Sequence, residues 1–293
     1  MRYAFFPGCV SRGGCPELYP SALRVAERLG IELQELEGAA CTGAGVLQES
    51  NQFFGDCLNA RTFAMAEDLG LPIMTICSTC QGVMSQAKYR LRDADYRNQV
   101  NEVLAEEGLK YNEQVQVKHM LWIIVEDIGL ETLRSLVVNP LQGLFLAPFY
   151  GCYIVRPETV LEYEENPLRK VALELVIEAL GANSVDFDGK TRCCGFPILT
   201  INEKNSIAMV AKHTTDAKEQ GADAMVTPCP LCHLNLDGFQ PKAAAQIGKQ
   251  INLPILHLPQ AIGMALGLNE PDLLMGRHIV STYDVAMKMG VRM

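Results

Sequence analysis

The cysteines of this chain occur twice at nearly the same spacing, and that pattern limits the fold more than any other feature. One set is Cys9, Cys41, Cys77 and Cys80; the other is Cys152, Cys193, Cys194, Cys229 and Cys232. A shift of 152 residues carries Cys41, Cys77 and Cys80 onto Cys193, Cys229 and Cys232. Cys9 maps to Cys152 with a shift of 143, so the second copy holds nine extra residues in its first segment. The surrounding residues repeat too. Phe6-Pro7-Gly8-Cys9 answers Phe149-Tyr150-Gly151-Cys152, Cys41-Thr42-Gly43 answers Cys193-Cys194-Gly195, and Thr75-Ile76-Cys77-Ser78-Thr79-Cys80 answers Thr227-Pro228-Cys229-Pro230-Leu231-Cys232. Three matches in order imply an internal duplication with its boundary near Asn139–Gly143. The expected domains are residues 1–140 and 141–293.

Short apolar runs place the motifs. Arg2–Phe6 and Leu144–Phe149 read as buried strands running into Gly-Cys turns, and Pro72–Ile76 and Ala224–Thr227 as strands feeding the two Cys-x-x-Cys turns. Ile31–Leu36 and Ser184–Phe187 read as further strands. Helical periodicity marks Glu17–Gly30 and Asn166–Gly181, both ending at glycine, and longer helices over Gln81–Glu107 and roughly Leu231–Ile251. Alternating strand and helix predicts an α/β fold: two similar Rossmann-like lobes, each a parallel sheet flanked by helices. Such sheets collect ligands at the carboxyl ends of their strands, where Cys9, Cys77, Cys80 and their counterparts fall.

Composition narrows the chemistry. Of 293 residues, 48% are hydrophobic and 20% charged, which suits a folded globular protein. The net charge of −9, with no basic run longer than a pair, argues against nucleic acid as a partner. The N-terminus lacks a signal-peptide h-region, and no apolar run is long enough for a transmembrane segment. A cytoplasmic location is therefore expected, where eleven cysteines point to metal binding or catalysis rather than disulfides.

Thiolates suit zinc and iron–sulfur clusters. Tetrahedral zinc and a simple four-iron cubane each take four ligands, so the five cysteines of the second set exceed both. The adjacent Cys193 and Cys194 can hold neighbouring metal atoms, which favours a multi-iron centre with a bridging thiolate. Neither the ferredoxin spacing nor a zinc-finger pair is present. A Cys-x-x-Cys turn at a helix start also resembles a thioredoxin-type thiol site. Its recurrence with partners at matched offsets favours cluster ligation, with zinc and thiol exchange as the alternatives.

At these residues the chain resembles the cysteine-rich CCG-domain family, which includes heterodisulfide reductase B-type subunits and related succinate dehydrogenase E-type subunits. The motif is a cysteine, then Cys-Cys-Gly, then Cys-x-x-Cys, usually twice, and the resemblance covers nearly the whole chain. It implies two α/β lobes that each cradle a cluster. Carried over, it makes Cys152, Cys193, Cys194, Cys229 and Cys232 the ligands of a noncubane [4Fe-4S] cluster. It makes Cys9, Cys41, Cys77 and Cys80 the metal ligands of the first lobe, for a [4Fe-4S] cluster or zinc. Thr42 stands where the family has the second cysteine of the pair. Cys15 and Cys57 lie in the first lobe outside the motif; either could substitute, and the simpler reading is an ordinary free cysteine.

The functional expectation is an oxidoreductase subunit, active within a heterodisulfide-reductase-like complex, that exchanges electrons with a small thiol or disulfide substrate. Since no dinucleotide fingerprint is present, electrons are expected to come from flavin and iron–sulfur subunits. The alternative is an electron-transfer or membrane-docking subunit of a succinate dehydrogenase-type complex. For docking, His119–Val138 is an apolar segment, though Glu126, Asp127 and Glu131 make a core helix the better reading. A third reading is a metal-free thiol–disulfide oxidoreductase. His119 and His257 each precede an apolar stretch and read as helix-start residues rather than ligands. His233, beside Cys232, reads either as a hydrogen-bond donor to cluster sulfur or as an ordinary helix residue. No catalytic residue is assigned.

Overall fold

A computed structural model describes residues 1–290. Two four-stranded sheets are built from the two halves of the chain, and every strand pair is parallel. The first contains β1 (Arg2–Phe6), β2 (Glu32–Glu35), β3 (Ile73–Thr75) and β4 (Val117–His119) in the order β2-β1-β3-β4. The second contains β5 (Phe145–Pro148), β6 (Asn183–Ser184), β7 (Ala224–Thr227) and β8 (Ile255–His257) in the order β6-β5-β7-β8. The two orders are identical, as a duplication requires.

Each chain half leaves its first strand on one side and returns on the other. The crevice between β1 and β3, and between β5 and β7, is therefore a topological switch point, where loops diverge and leave room for a ligand. Registers align Phe6 with Thr75 and Thr75 with His119 in one sheet, and Pro148 with Val226 and Thr227 with His257 in the other. The cysteine turns follow directly from these strand ends.

Successive side chains of β1 enter different apolar layers. Tyr3 and Phe5 face one, Ala4 and Phe6 the other, which is the period-2 alternation of a strand covered on both sides. Both layers run from one half of the chain into the other. Helix Leu18–Arg28 packs on helix Leu258–Ala265, while helix Ala172–Ala179 packs on Met120–Ile123 and Leu130–Leu136. The lobes thus share a core.

The structure corrects several element boundaries. The expected Gln81–Glu107 helix is two helices, Ser78–Arg90 and Ala94–Leu104, because Asp93 is extended and caps the second by accepting from Tyr96 N at 2.8 Å. Leu231–Ile251 likewise divides into Pro230–Gly238 and Gln240–Ile247. The segment expected as helix Asn166–Gly181 begins as a 3-10 turn, Pro167–Val171, and is α-helical only over Ala172–Ala179. The Ser184–Phe187 strand shrinks to Asn183–Ser184.

The His119–Val138 segment is core over its first part and partly exposed from Glu131 on. Met120 to Val125 are buried, and a π turn at Ile124–Ile128 separates two short helices. Two of its three acids are engaged inside the protein, while Glu131 is exposed and pairs with Arg134. Glu126 pairs with Arg169 at 2.5 Å and Lys118 at 3.1 Å, and Asp127 accepts from Tyr3 at 2.7 Å and Lys118 at 2.6 Å. Its apolar run Met120–Val125 is turned into the protein, and no helix among the described residues is long and apolar enough to cross a membrane.

Candidate metal centre

Glycine sets the entrance to each site. Gly8 and Gly151 both have positive φ, +77° and +74°, which lets the chain turn back over the Cys-x-x-Cys loop. A Cβ on Gly8 would lie 3.2 Å from Cys80 Sγ, and one on Gly151 only 2.7 Å from Cys232 Sγ. These residues leave the space into which the thiols point.

In the second half the five predicted cysteines come together. Cys152 and Cys194 both donate toward Cys193, Cys194 also meets Cys232, and Cys232 meets Cys229. The first half gathers its four: Cys9 and Cys41 sulfurs are 3.9 Å apart, Cys80 lies near Cys9, and Cys77 contacts Cys80. All eleven cysteines are free thiols. Cys77, Cys80, Cys194, Cys229 and Cys232 form buried walls, while Cys9 and Cys41 are exposed and Cys152 and Cys193 half-buried, giving each site an accessible rim.

Thr42 occupies the place of Cys194. Its buried hydroxyl lies 3.9 Å from Cys80 Sγ, just as Cys194 faces Cys232. Its carbonyl accepts from Asn59 at 3.0 Å, and that of Cys194 accepts from Asn235 at 2.7 Å. The first site therefore has the backbone of a five-thiol site with a hydroxyl at one corner.

The local electrostatics favour thiolate at chosen positions. Hydrogen bonds from Cys152 and Cys194, together with Gly195 N–H at 3.4 Å, hold Cys193 down to about 2. Burial pushes Cys229 up, but the S–H groups of Cys232 and Cys77 and the Thr79 hydroxyl at 3.3 Å outweigh it and leave Cys229 well below the usual thiol value. The neighbours that donate these protons are pushed up: Cys152, Cys194 and Cys232 in the second half, Cys77 in the first. Burial raises Cys9 to about 11. A crowded set of thiols can lose all its protons only when a cation supplies the compensating charge. This donor set, soft and mostly buried, fits a thiolate-bound metal centre.

The two sites touch. The Pro228 carbonyl accepts from Ser78 N at 3.2 Å, Ser78 Oγ at 3.1 Å and His119 Nε2 at 2.9 Å. Cys77 and Cys229 lie against each other, and each influences the other's proton. The second Cys-x-x-Cys turn is thereby held by the first lobe, and Gly82 approaches the Tyr153 backbone closely.

Residues outside the motif fare differently. His119 uses both ring nitrogens structurally: Nδ1 accepts from Leu121 N at 3.0 Å as a helix cap, and Nε2 binds Pro228. His257 also opens a helix, where its backbone N–H donates to Gln260 Oε1 at 3.0 Å and its Nε2 meets Glu17 at 2.9 Å. His233 corrects one expectation: its nitrogens face Cys15, at 3.7 Å, and His278, at 3.1 Å, rather than the second-set thiols. Cys15 therefore does not complete the first site, and Cys57 lies in helix Gln52–Asp68 beside Asp56. Sequence reasoning missed His213, whose Nε2 meets the Cys193 carbonyl at 3.0 Å, and the Asn59 and Asn235 supports.

Residues 3–85 and 146–237 each match the cysteine-rich domain named CCG. The chain is 35% identical over 288 residues to the 8-methylmenaquinol:fumarate reductase membrane anchor subunit of Wolinella succinogenes, covering 98% of this chain and 99% of that one. It is 30% identical to a protein of Archaeoglobus profundus that resembles the B-type subunit of heterodisulfide reductase, with 94% of both chains covered. With the B-type subunit of the ferredoxin/F420H2-dependent CoB-CoM heterodisulfide reductase of Methanosarcina acetivorans, identity is 28% over 98% of this chain and 97% of that one. A solved structure of a hypothetical protein from Helicobacter pylori shares the fold with a TM-score of 0.74 at 18% identity; it matches 96% of this chain, which spans about half (52%) of that protein. With two matched domains and relatives aligned end to end, the chain belongs to the CCG cysteine-rich domain family.

Proposed function

We propose that the chain is the iron–sulfur subunit of a multisubunit reductase and relays electrons between partner flavin or iron–sulfur subunits and a small thiol or disulfide substrate. The observation that carries this reading is the continuous run of thiols from Cys152 across Cys229 and Cys77 to Cys80, between two switch-point crevices. Cys152, Cys193, Cys194, Cys229 and Cys232 would hold a noncubane [4Fe-4S] cluster, and Cys9, Cys41, Cys77 and Cys80 a [4Fe-4S] cluster or zinc. Iron–sulfur centres supply single-electron transfer when bound. Reducing a disulfide takes two electrons and two protons and breaks one S–S bond into two thiols; with a cluster in each lobe the two adjacent one-electron sites supply both electrons, and with zinc in the first lobe the second-lobe cluster passes them one at a time. Heterodisulfide reductase subunits among the relatives support this substrate class.

The test is metal and acid-labile sulfide analysis of anaerobically purified chain. Iron and sulfide that fall in Cys193→Ser and rise in Thr42→Cys are expected, since the latter supplies the missing fifth thiol. Stoichiometric zinc with no iron in the wild type would overturn the reading.

A second reading, docking of the same centre at a membrane surface, draws support from exposed apolar side chains beyond both Cys-Gly loops. Val46 and Phe54 follow one and Ile201 the other, 73%, 49% and 85% exposed. The relative named a membrane anchor subunit points the same way. Pelleting with liposomes, lost in Val46→Ser/Ile201→Ser, separates it from the first.

A further inference from the structure

On the face of the second Cys-x-x-Cys helix turned toward the first lobe, Cys15, Glu17, His233 and His257 converge. All four are buried, and one potential ligand atom from each lies within 4.8 Å of all the others. His257 Nε2 is 2.9 Å from Glu17 Oε1, His233 Nδ1 is 3.9 Å from the same oxygen, and Cys15 Sγ is 3.7 Å from His233 Nδ1. A tetrahedral zinc bound at about 2.0–2.3 Å separates its donors by roughly 3.3–3.6 Å. The observed spacings bracket that value.

We propose that these four residues form a mononuclear site for a divalent transition metal of the zinc class, bridging the two lobes and separate from both cysteine sets. Three features support it. Among the described residues, the buried Glu17 carboxylate has no Lys or Arg partner; its ion-pair contacts are His233 and His257. A buried carboxylate lacking a fixed cation is costly, and a divalent ion removes that cost. The donor set, one thiol, one carboxylate and two imidazoles, is the mixed N/O/S set that zinc accepts. Finally, His233 Nε2 lies 3.1 Å from His278 Nδ1, the kind of outer contact that orients a ligand imidazole. The first lobe has no counterpart, since Gln81 stands at the position of His233 and binds Ser85 and the Val117 carbonyl. Metal entry releases the Cys15 thiol proton to solvent and requires the ring proton of His257 on Nδ1, which frees Nε2 to bind.

The proposal does not rest on the iron–sulfur reading. It is tested on the full chain carrying Cys9→Ser and Cys41→Ser, which removes first-lobe zinc. Zinc X-ray absorption should show one sulfur and three nitrogen or oxygen neighbours. Adding Glu17→Gln or His257→Gln should abolish that one equivalent while leaving iron and sulfide unchanged. A sulfur-rich shell, or no bound zinc in the parent at saturating Zn²⁺, overturns the proposal whether or not the further variants fold. A wild-type chain free of iron and sulfide, with this zinc retained in the Cys9→Ser/Cys41→Ser chain, would count against the iron–sulfur reading alone.

Discussion

Replacing Gly151 by alanine tests whether the second thiol set is built around a ligand. The new Cβ would sit 2.7 Å from Cys232 Sγ. Nonbonded heavy atoms prefer about 3.5 Å or more, so the sulfur must retreat by about 0.8 Å. Metal–ligand distances tolerate only about 0.2 Å. At Gly8 the same substitution places Cβ 3.2 Å from Cys80 Sγ, and the required shift is about 0.3 Å. Both positions have nearly the same positive φ, so the backbone penalty of about 1–2 kcal/mol, offset in part by about 0.4–1 kcal/mol from the stiffer unfolded chain, should be similar. Gly8→Ala should thus lose about 1 kcal/mol in urea unfolding, while Gly151→Ala should lose about 1–3 kcal/mol more for the tighter contact and alone drop its second-lobe iron to the level of Cys232→Ser. Iron and sulfide per chain, with paramagnetic resonance of the oxidised protein, provide the assay. Full iron in Gly151→Ala, or equal loss in both variants, would refute the steric argument.

Two further predictions concern the lobe contact. Gly82→Ala should destabilise by about 1–3 kcal/mol, the usual cost of overpacking, because its Cβ would fall 2.4 Å from the Tyr153 carbonyl; an exposed helix would instead gain about 1 kcal/mol, and that gain in urea unfolding would deny the contact. His119 is lowered from 6.5 to about 4 by burial. The neutral ring is favoured in the fold, so its contribution is complete above pH 6.5 and is lost as pH falls toward 4. Between pH 7 and pH 5 the wild type should lose about 2 kcal/mol that His119→Gln does not, and identical pH slopes for the two would contradict this.

The sequence carried the repeat because thiols are rare and each keeps its place after a strand. Strands β1, β3, β5 and β7 were legible as apolar runs ending in the motif. Edge strands β4 and β8 were not: three residues each, they leave almost no periodic signal, and their closing histidines read as helix starts. Helices Gln52–Asp68 and Glu203–Glu219 escaped notice although both begin with an asparagine cap, Asn51 accepting from Phe54 N and Asn202 from Asn205 N, each at 3.1 Å. The first buries residues on most sides, including Gly55, Asn59 and Ala64, and so lacks a clear stripe. The convergence of Glu17 with His257 lay beyond reach, since 240 residues separate them and only the docking of the lobes joins them.

The contact between Cys77 and Cys229 has an electrical consequence. Any charge gained by a centre on one side is felt at short range through little intervening water, so the two sites cannot titrate independently. Filling the first makes filling the second harder, and their potentials should split even if isolated copies were matched. Because both apolar layers run through the two halves, that splitting is built into the packing that joins them.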